Sequence, residues 1–454
     1  MSALPRLLVP IAVALMTSAA AAQDPAVRFM SLDPGHFHAA LIHKEMYPGV
    51  SPRLDVYAPL GFDLTEHLAR ISAFNDRPEA PTRWRAEVHT GPDFFERMLA
   101  ERPGNVVVIA GRNSKKIDYI LGSVNAGLHV LADKPWIVRS ADLPRLEQAL
   151  EMAERRGVAA YDVMTERYEV TNAVQRELVN DPAVFGETVP GTPEEPAVYM
   201  KSVHHILKTV AGAPLRRPLW WFEPAEQGEA LSDVGTHLVD LALWTLFPEQ
   251  ALDHGRDVTL HSARAWRTRL SREQFSRLTG SSDFPPRLAA WVEGDSLGCE
   301  CNTQVVFALR GVTVKLDVLW DDESTHADTH DAVYRGSKAR VEVRQGEREG
   351  WRPEVYVVPN DGAAREEVLR AVRARIDALQ SRWPGITAEE SGGEVRLTIP
   401  DRHRLGHENH FGEVASRFLE YVASPASLPA WEKPNMLVKY FVTTRGTELS
   451  HAPR

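Results

Sequence analysis

The sequence predicts two domains. The first, over residues 26–160, is an α/β domain with a doubly wound parallel sheet. The second, over residues 161–454, is an α+β domain with an open, largely antiparallel sheet. Three observations lead there. Strand-like and helix-like segments alternate up to residue 163, as βαβ units require. From Tyr161 that alternation stops and strand-like runs follow one another. The composition, 43% hydrophobic and 25% charged over 454 residues, is that of a globular chain that needs no disulfide or metal staple to fold.

Ahead of the first domain, residues 7–16 read LLVPIAVALM, with Arg6 before them and Ala20-Ala21-Ala22 after. This is the pattern of a secretory signal peptide over residues 1–22. The run is too short to cross a hydrocarbon core of about 30 Å. No Cys follows it and no twin Arg precedes it. The expectation is a periplasmic or secreted protein, with no membrane association after cleavage. Acidic residues outnumber basic ones, 62 to 52, which disfavours nucleic acid as a partner. The two cysteines, Cys299 and Cys301, lie too close for an unstrained bridge.

Within the first domain, residues 27–32 (VRFMSL) have strand composition, and Asp33-Pro34-Gly35-His36 is a turn signal before a helix over 37–46. A second strand is read at 54–57, with helices over 64–74 and 93–101. Residues 106–110 (VVVIA) are uninterruptedly apolar, as a parallel strand covered on both faces must be. A helix over 117–126 stops at Gly127, and 129–132 form a short strand closed by Asp133-Lys134-Pro135. The helix over 143–156 stops at Gly157 and leads to a last strand over 158–163.

Residues 125–135, NAGLHVLADKP, resemble the "AGKHVLCEKP" signature of the Gfo/Idh/MocA family of nicotinamide-dependent oxidoreductases, with Asp133 for the usual Glu. Upstream, Asn113 matches the family's "ATPNxxH", whereas Gly111, Arg112 and Lys116 depart from it. Downstream, residues 229–240, EALSDVGTHLVD, are similar to "GG-x-L-x-D-x-G-x-H-x-x-D". The C-terminal part resembles a divergent branch with an oxidoreductase C-terminal domain of its own. The resemblance implies a Rossmann-like first domain that binds NAD or NADP, a second domain used for homo-oligomer contacts, and hydride transfer at a hydroxyl of a small-molecule carbohydrate. It further implies a catalytic set of Lys134, Asp233 and His237. Asp233 and His237 are spaced i, i+4, which places them on one helix face. Lys134 ends a strand, where side chains point into the ligand crevice. In such a set His237 takes the hydroxyl proton, Lys134 steadies the developing charge, and Asp233 orients the imidazole or binds a neighbouring hydroxyl.

A Rossmann loop reads G-x-G-x-x-G. Here the positions read Asp33-Pro34-Gly35-His36-Phe37-His38, and only Gly35 survives. The residues expected at the cofactor are Gly35, His36, Phe37, Asn113, Lys134 and Pro135. The second strand ends in Tyr57-Ala58-Pro59, without the acid that binds ribose hydroxyls. His36 and His38 could converge on a metal with His204, His205 and His237. Seventeen histidines make such clustering easy, and no metal is assigned.

In the second domain, residues 163–169 follow the last parallel strand into the site, and His407 and His410 could reach the cleft. Strand-like runs occur at 198–203, 258–268, 301–309, 312–319, 331–334 and 339–344. Arg216 and Arg217 precede Trp220-Trp221-Phe222, a grouping suited to a sugar or an anion, or to an aromatic core under a charged rim. Amphipathic helices are read over 365–382 and 403–421. Three functions compete: an exported oxidoreductase acting on a sugar or sugar derivative, a redox-neutral NAD-dependent glycoside lyase or hydrolase, and a sugar-binding protein that has lost its cofactor.

Overall fold

The computed structural model of the chain describes residues 26–210, 212–323, 326–360 and 365–453. The expected leader at 1–22 lies outside the described residues.

Six strands form the first sheet: β1 (Val27–Leu32), β2 (Val50–Ala58), β3 (Arg85–Thr90), β4 (Val106–Ile109), β5 (His129–Ala132) and β6 (Ala160–Asp162). All run parallel, in the order β3-β2-β1-β4-β5-β6. The order reverses between β1 and β4, so the loops after them diverge and leave a crevice beyond the carboxyl ends. Five helices connect the strands: α1 (His38–Ile42), α2 (Phe62–Asp76), α3 (Phe94–Glu101), α4 (Asn113–Asn125) and α5 (Leu143–Arg156). Every residue of β4 is buried, as its apolar run requires. Two details depart from the sequence reading. β3, RAEVHT, is an exposed edge with no apolar pattern to announce it. α1 ends at Ile42 because Trp84 Nε1 donates to the His43 carbonyl at 2.7 Å and draws it out of the helix.

The second sheet is built around β7 (Val198–Leu207). Its order runs Val258–Ser271, Ser296–Leu309, Val312–Glu323, β7, Thr329–Arg335, Ala339–Arg344, Glu354–Pro359, Glu394–Thr398, Thr387–Ser391. Val292–Glu293 adds a short tenth strand beside Ser296–Leu309. All neighbouring pairs are antiparallel except Val312–Glu323 with β7. Helix α6 (Val170–Val179) and helix Gly235–Leu246 share this sheet's core. Trp220, Trp221 and Phe222 are buried in it as well. Cys299 and Cys301 are free and buried on the strand Ser296–Leu309.

Two C-terminal helices return to the first sheet. His407–Ala423 places Phe411, Val414 and Phe418 in one core with Phe29 of β1 and Leu54 of β2. Glu432–Ser450 sends Met436 and Tyr440 into the core around Val107 and Val130, and Val438 and Val442 into that of the second sheet. The sequence reading lacks this last helix. Its buried side carries Asn435, Lys439 and Thr443, so no apolar stripe marks it.

Candidate functional site

Beyond the carboxyl ends of the first sheet lies a cavity of about 930 Å3, walled by both domains. Lys134, one residue past Asp133 at the end of β5, points its ammonium at Asp233, and the two form a buried ion pair. Asp233 closes a single helical turn, Ala230–Asp233, and the chain restarts as Gly235–Leu246. The His237 N–H bonds back to the Val234 carbonyl at 3.0 Å, an i→i−3 step that tightens the break. Asp233 and His237 therefore line one cavity, although the helix between them is interrupted.

Electrostatics assigns Asp233 and His237 a state each. Burial opposes ionisation of Asp233, but the Lys134 ammonium, with His36 and Arg217, outweighs it and holds the carboxyl below its usual range. Asp233 thus steadies Lys134 rather than His237. Burial, aided by Lys134, lowers His237 to about 3, so the imidazole is neutral at ordinary pH. Its Nδ1 is buried and has no protein partner.

The loop after β1 is rebuilt relative to a glycine loop. Asp33 takes φ +47°, the left-handed turn that glycine normally supplies there. Burial pushes its carboxyl up to about 6. His36 Nδ1 and His38 Nδ1 each meet one oxygen of Asp133, at 2.9 and 3.0 Å. Burial raises the Asp133 carboxyl, but the two histidines outweigh that and hold it well below the carboxylate range. His36 and Phe37 line the cavity. Pro135 follows Lys134 through a cis peptide bond and is buried. Asn113 lies elsewhere: its amide donates to the Gln227 carbonyl at 2.6 Å and its oxygen accepts from Lys116 at 2.6 Å, which ties α4 to the second domain. Of the histidines considered as metal ligands, His36 and His38 come together with Asp133 as third donor, the one grouping of at least three potential ligands among the described residues whose donor atoms lie close enough for one ion. His204 and His205 meet Asp328 instead, at 2.9 and 3.3 Å.

Residues outside the expected set also reach the cavity. Glu166 lies just past β6, and His407 Nδ1 stands 3.2 Å from its carboxylate. His410 lines the same wall. Placement of 163–169 after a parallel strand was the signal for Glu166. Asp328 had no such signal, because it comes from a loop of the second domain whose position depends on the folded sheet, and Arg217 was marked only by its place ahead of Trp220-Trp221-Phe222.

The fold implies a nicotinamide dinucleotide. The residues present fit its reactive end: the cavity adjoins the switch point, and Lys134 and the His237 imidazole, which has no side-chain hydrogen bond among the described residues, line it. At the diphosphate end, a Cβ on Gly35 would meet Asp63 Oδ2 and Trp220 Cζ2, both at 2.9 Å. Trp220 Nε1 donates to that Asp63 oxygen at 2.9 Å. This pair packs against the side of Gly35 that a Cβ would fill.

Residues 174–451 match the family described as "Putative oxidoreductase C terminal domain". Among solved structures, a "putative oxidoreductase" from Parabacteroides merdae ATCC 43184 is 43% identical, over 94% of this chain and 98% of that one, with a TM-score of 0.91. Two structures share the fold at low identity. GenD2 from gentamicin A biosynthesis, in complex with NAD, is 15% identical over 98% of both chains, with a TM-score of 0.58. KijD10, a 3-ketoreductase from Actinomadura kijaniata in complex with NADP and TDP-benzene, is 15% identical over 93% of this chain and 96% of that one, with a TM-score of 0.53. No curated protein matches the chain.

Proposed function

The chain belongs to the Gfo/Idh/MocA family of oxidoreductases, in the branch with its own C-terminal domain, and on that premise we propose that it acts on a CH–OH group of a sugar or sugar derivative outside the cytoplasm, with NAD or NADP as hydride partner. The observation that carries the reading is the Lys134–Asp233 pair together with the neutral His237 imidazole, all lining one cavity at the switch point. The dinucleotide, when bound, supplies the hydride acceptor or donor. His36 and Phe37 at the β1 loop, with Lys134 and Pro135, are the residues placed to hold its reactive end. Lys134, fixed by Asp233, donates a hydrogen bond to the substrate oxygen and stabilises negative charge there. His237, kept neutral by burial, accepts the hydroxyl proton on its imidazole, and the nearby Glu166 carboxylate favours the imidazolium so formed.

A second reading, redox-neutral lyase or hydrolase chemistry with a resident cofactor, is favoured by the Trp220–Asp63 cover over Gly35, which would slow nucleotide exchange. Mass analysis of nucleotide released on denaturing the purified protein tests both. Bound or bindable NAD(P) with net turnover of a sugar supports the first, and retained NAD without net turnover supports the second. Absence of any nucleotide, with sugar binding intact, leaves the binding-protein alternative. Lys134→Ala and His237→Ala should each lower turnover by about 10²–10⁴-fold while the protein stays folded. Unchanged rates in both variants would remove the site assignment.

A further inference from the structure

Arg217 lines the same cavity and presents a buried cation with no hydrogen-bonded or ion-paired partner among the described residues. Its side chain is 3% exposed and lines the cavity. Among the described residues, no hydrogen bond or ion pair reaches the guanidinium, and Nε is buried and unpaired. Its contacts are aromatic: the guanidinium lies 3.9 Å from the Trp221 ring centroid and 5.3 Å from that of Trp320. Stacking uses the face of the group and leaves its N–H edge free.

The acidic neighbours are already committed. Asp233 holds Lys134. Asp328 accepts from His204, His205 and Lys208, which surround it. The Lys208 ammonium lies 5.6 Å from the Trp320 ring, so the corner holds two cations against one carboxylate. Trp320 Nε1, another donor, is also buried without a partner. Arg217 and Trp320 thus leave donors with no acceptor opposite them. A buried unpaired charge is costly unless something completes it.

We propose that Arg217 is a specificity residue and that the substrate is an anionic sugar, whose acidic substituent binds the guanidinium edge while the reacting hydroxyl lies at Lys134 and His237. This rests on reading the cavity as a sugar site, and it narrows the substrate class. The fork of the guanidinium matches a planar carboxylate through two parallel hydrogen bonds, as on a uronate; a sulfate ester offers the same charge on a tetrahedral group.

The test is binding to the purified full-length protein, followed by tryptophan fluorescence or calorimetry. The probes are D-glucuronate, D-glucose 6-sulfate and neutral D-glucose, each against wild type, Arg217→Gln and Arg217→Lys. The expectation is that an anionic probe binds wild type about ten- to a hundredfold more tightly than glucose, and that Arg217→Gln removes this preference without weakening glucose binding. Preference for glucuronate identifies a carboxylate, and preference for the 6-sulfate a sulfate ester. Arg217→Lys should keep part of the preference. Because the free protein carries the unpaired charge, Arg217→Gln should melt no lower than wild type. Equal binding of glucose and both anions, no sugar binding, or an Arg217→Gln variant that is destabilised yet still selective would each overturn the proposal. Selective anion binding without dinucleotide-dependent turnover would leave it standing and defeat the oxidoreductase reading.

Discussion

Arg167 and Lys439 show how much of the buried charge in this molecule is structural rather than chemical. Arg167 forms a bidentate pair with Asp240, at 2.6 and 2.7 Å, and meets Glu432 at 2.6 Å. Lys439 lies 3.0 Å from Asp162 and 3.1 Å from Asp240. The network joins the end of β6, the helix Gly235–Leu246 and the C-terminal helix. Asp240 belongs to the same downstream motif as Asp233 and His237, yet its partners make it a clamp between domains. Replacing Arg167 by Met leaves Asp240 and Glu432 short of a cation and should cost about 3–5 kcal/mol, read as a lower midpoint in chemical denaturation. A midpoint near that of wild type would show the network to be dispensable. Lys134 was legible as a site residue because the strand-end motif fixes its position. Arg217 was legible only as part of a basic-aromatic grouping; that its guanidinium has no acceptor among the described residues depends on the folded cavity.

At the scale of elements, the loop from β1 into α1 does what a glycine loop does with different residues. Asp33 adopts the left-handed turn, Gly35 is approached closely by Asp63 and Trp220, and His36 and His38 anchor on Asp133. Trp220 reaches it from the second domain, so one domain caps the nucleotide loop of the other. Trp220→Ala should open the space over Gly35 and raise the association rate of NAD(P), read by stopped-flow fluorescence or nucleotide exchange. An unchanged rate would show that this space is not on the cofactor's path. Elements with a strong periodic pattern were legible along the chain. Those without one, β3 and Glu432–Ser450, were not: the first is an exposed edge, and the second buries a polar face.

Across the whole molecule, a set of histidines is folded in the neutral state. Burial lowers His67 and His237 to about 3 and His410 to about 4, and it lowers His38 and His43 well below the imidazole range. In the unfolded chain each takes up a proton near pH 6.5, so between that pH and the folded value the unfolded state binds more protons. Stability is therefore lost as pH falls below about 6.5, on the order of 2 kcal/mol for each such group by pH 5. Asp33, raised to about 6, acts in the opposite sense and loses its contribution as pH rises through that value. The histidines outnumber it, so melting temperature should drop between pH 7.5 and pH 5; a constant or rising value would contradict this account. The sequence by itself determined the alternating first domain and the run of strands after it, because period and turn chemistry are local properties, and it singled out Lys134, Asp233 and His237 through the motifs that resemble the family's. Only the tertiary structure decided that Asp233 serves Lys134, that Asn113 belongs to a domain contact, that Trp220 covers Gly35, and that Arg217 stands unpaired in the cavity. Each of these depends on which distant side chain arrives at a given atom, and that is fixed when the two sheets and the C-terminal helices pack together.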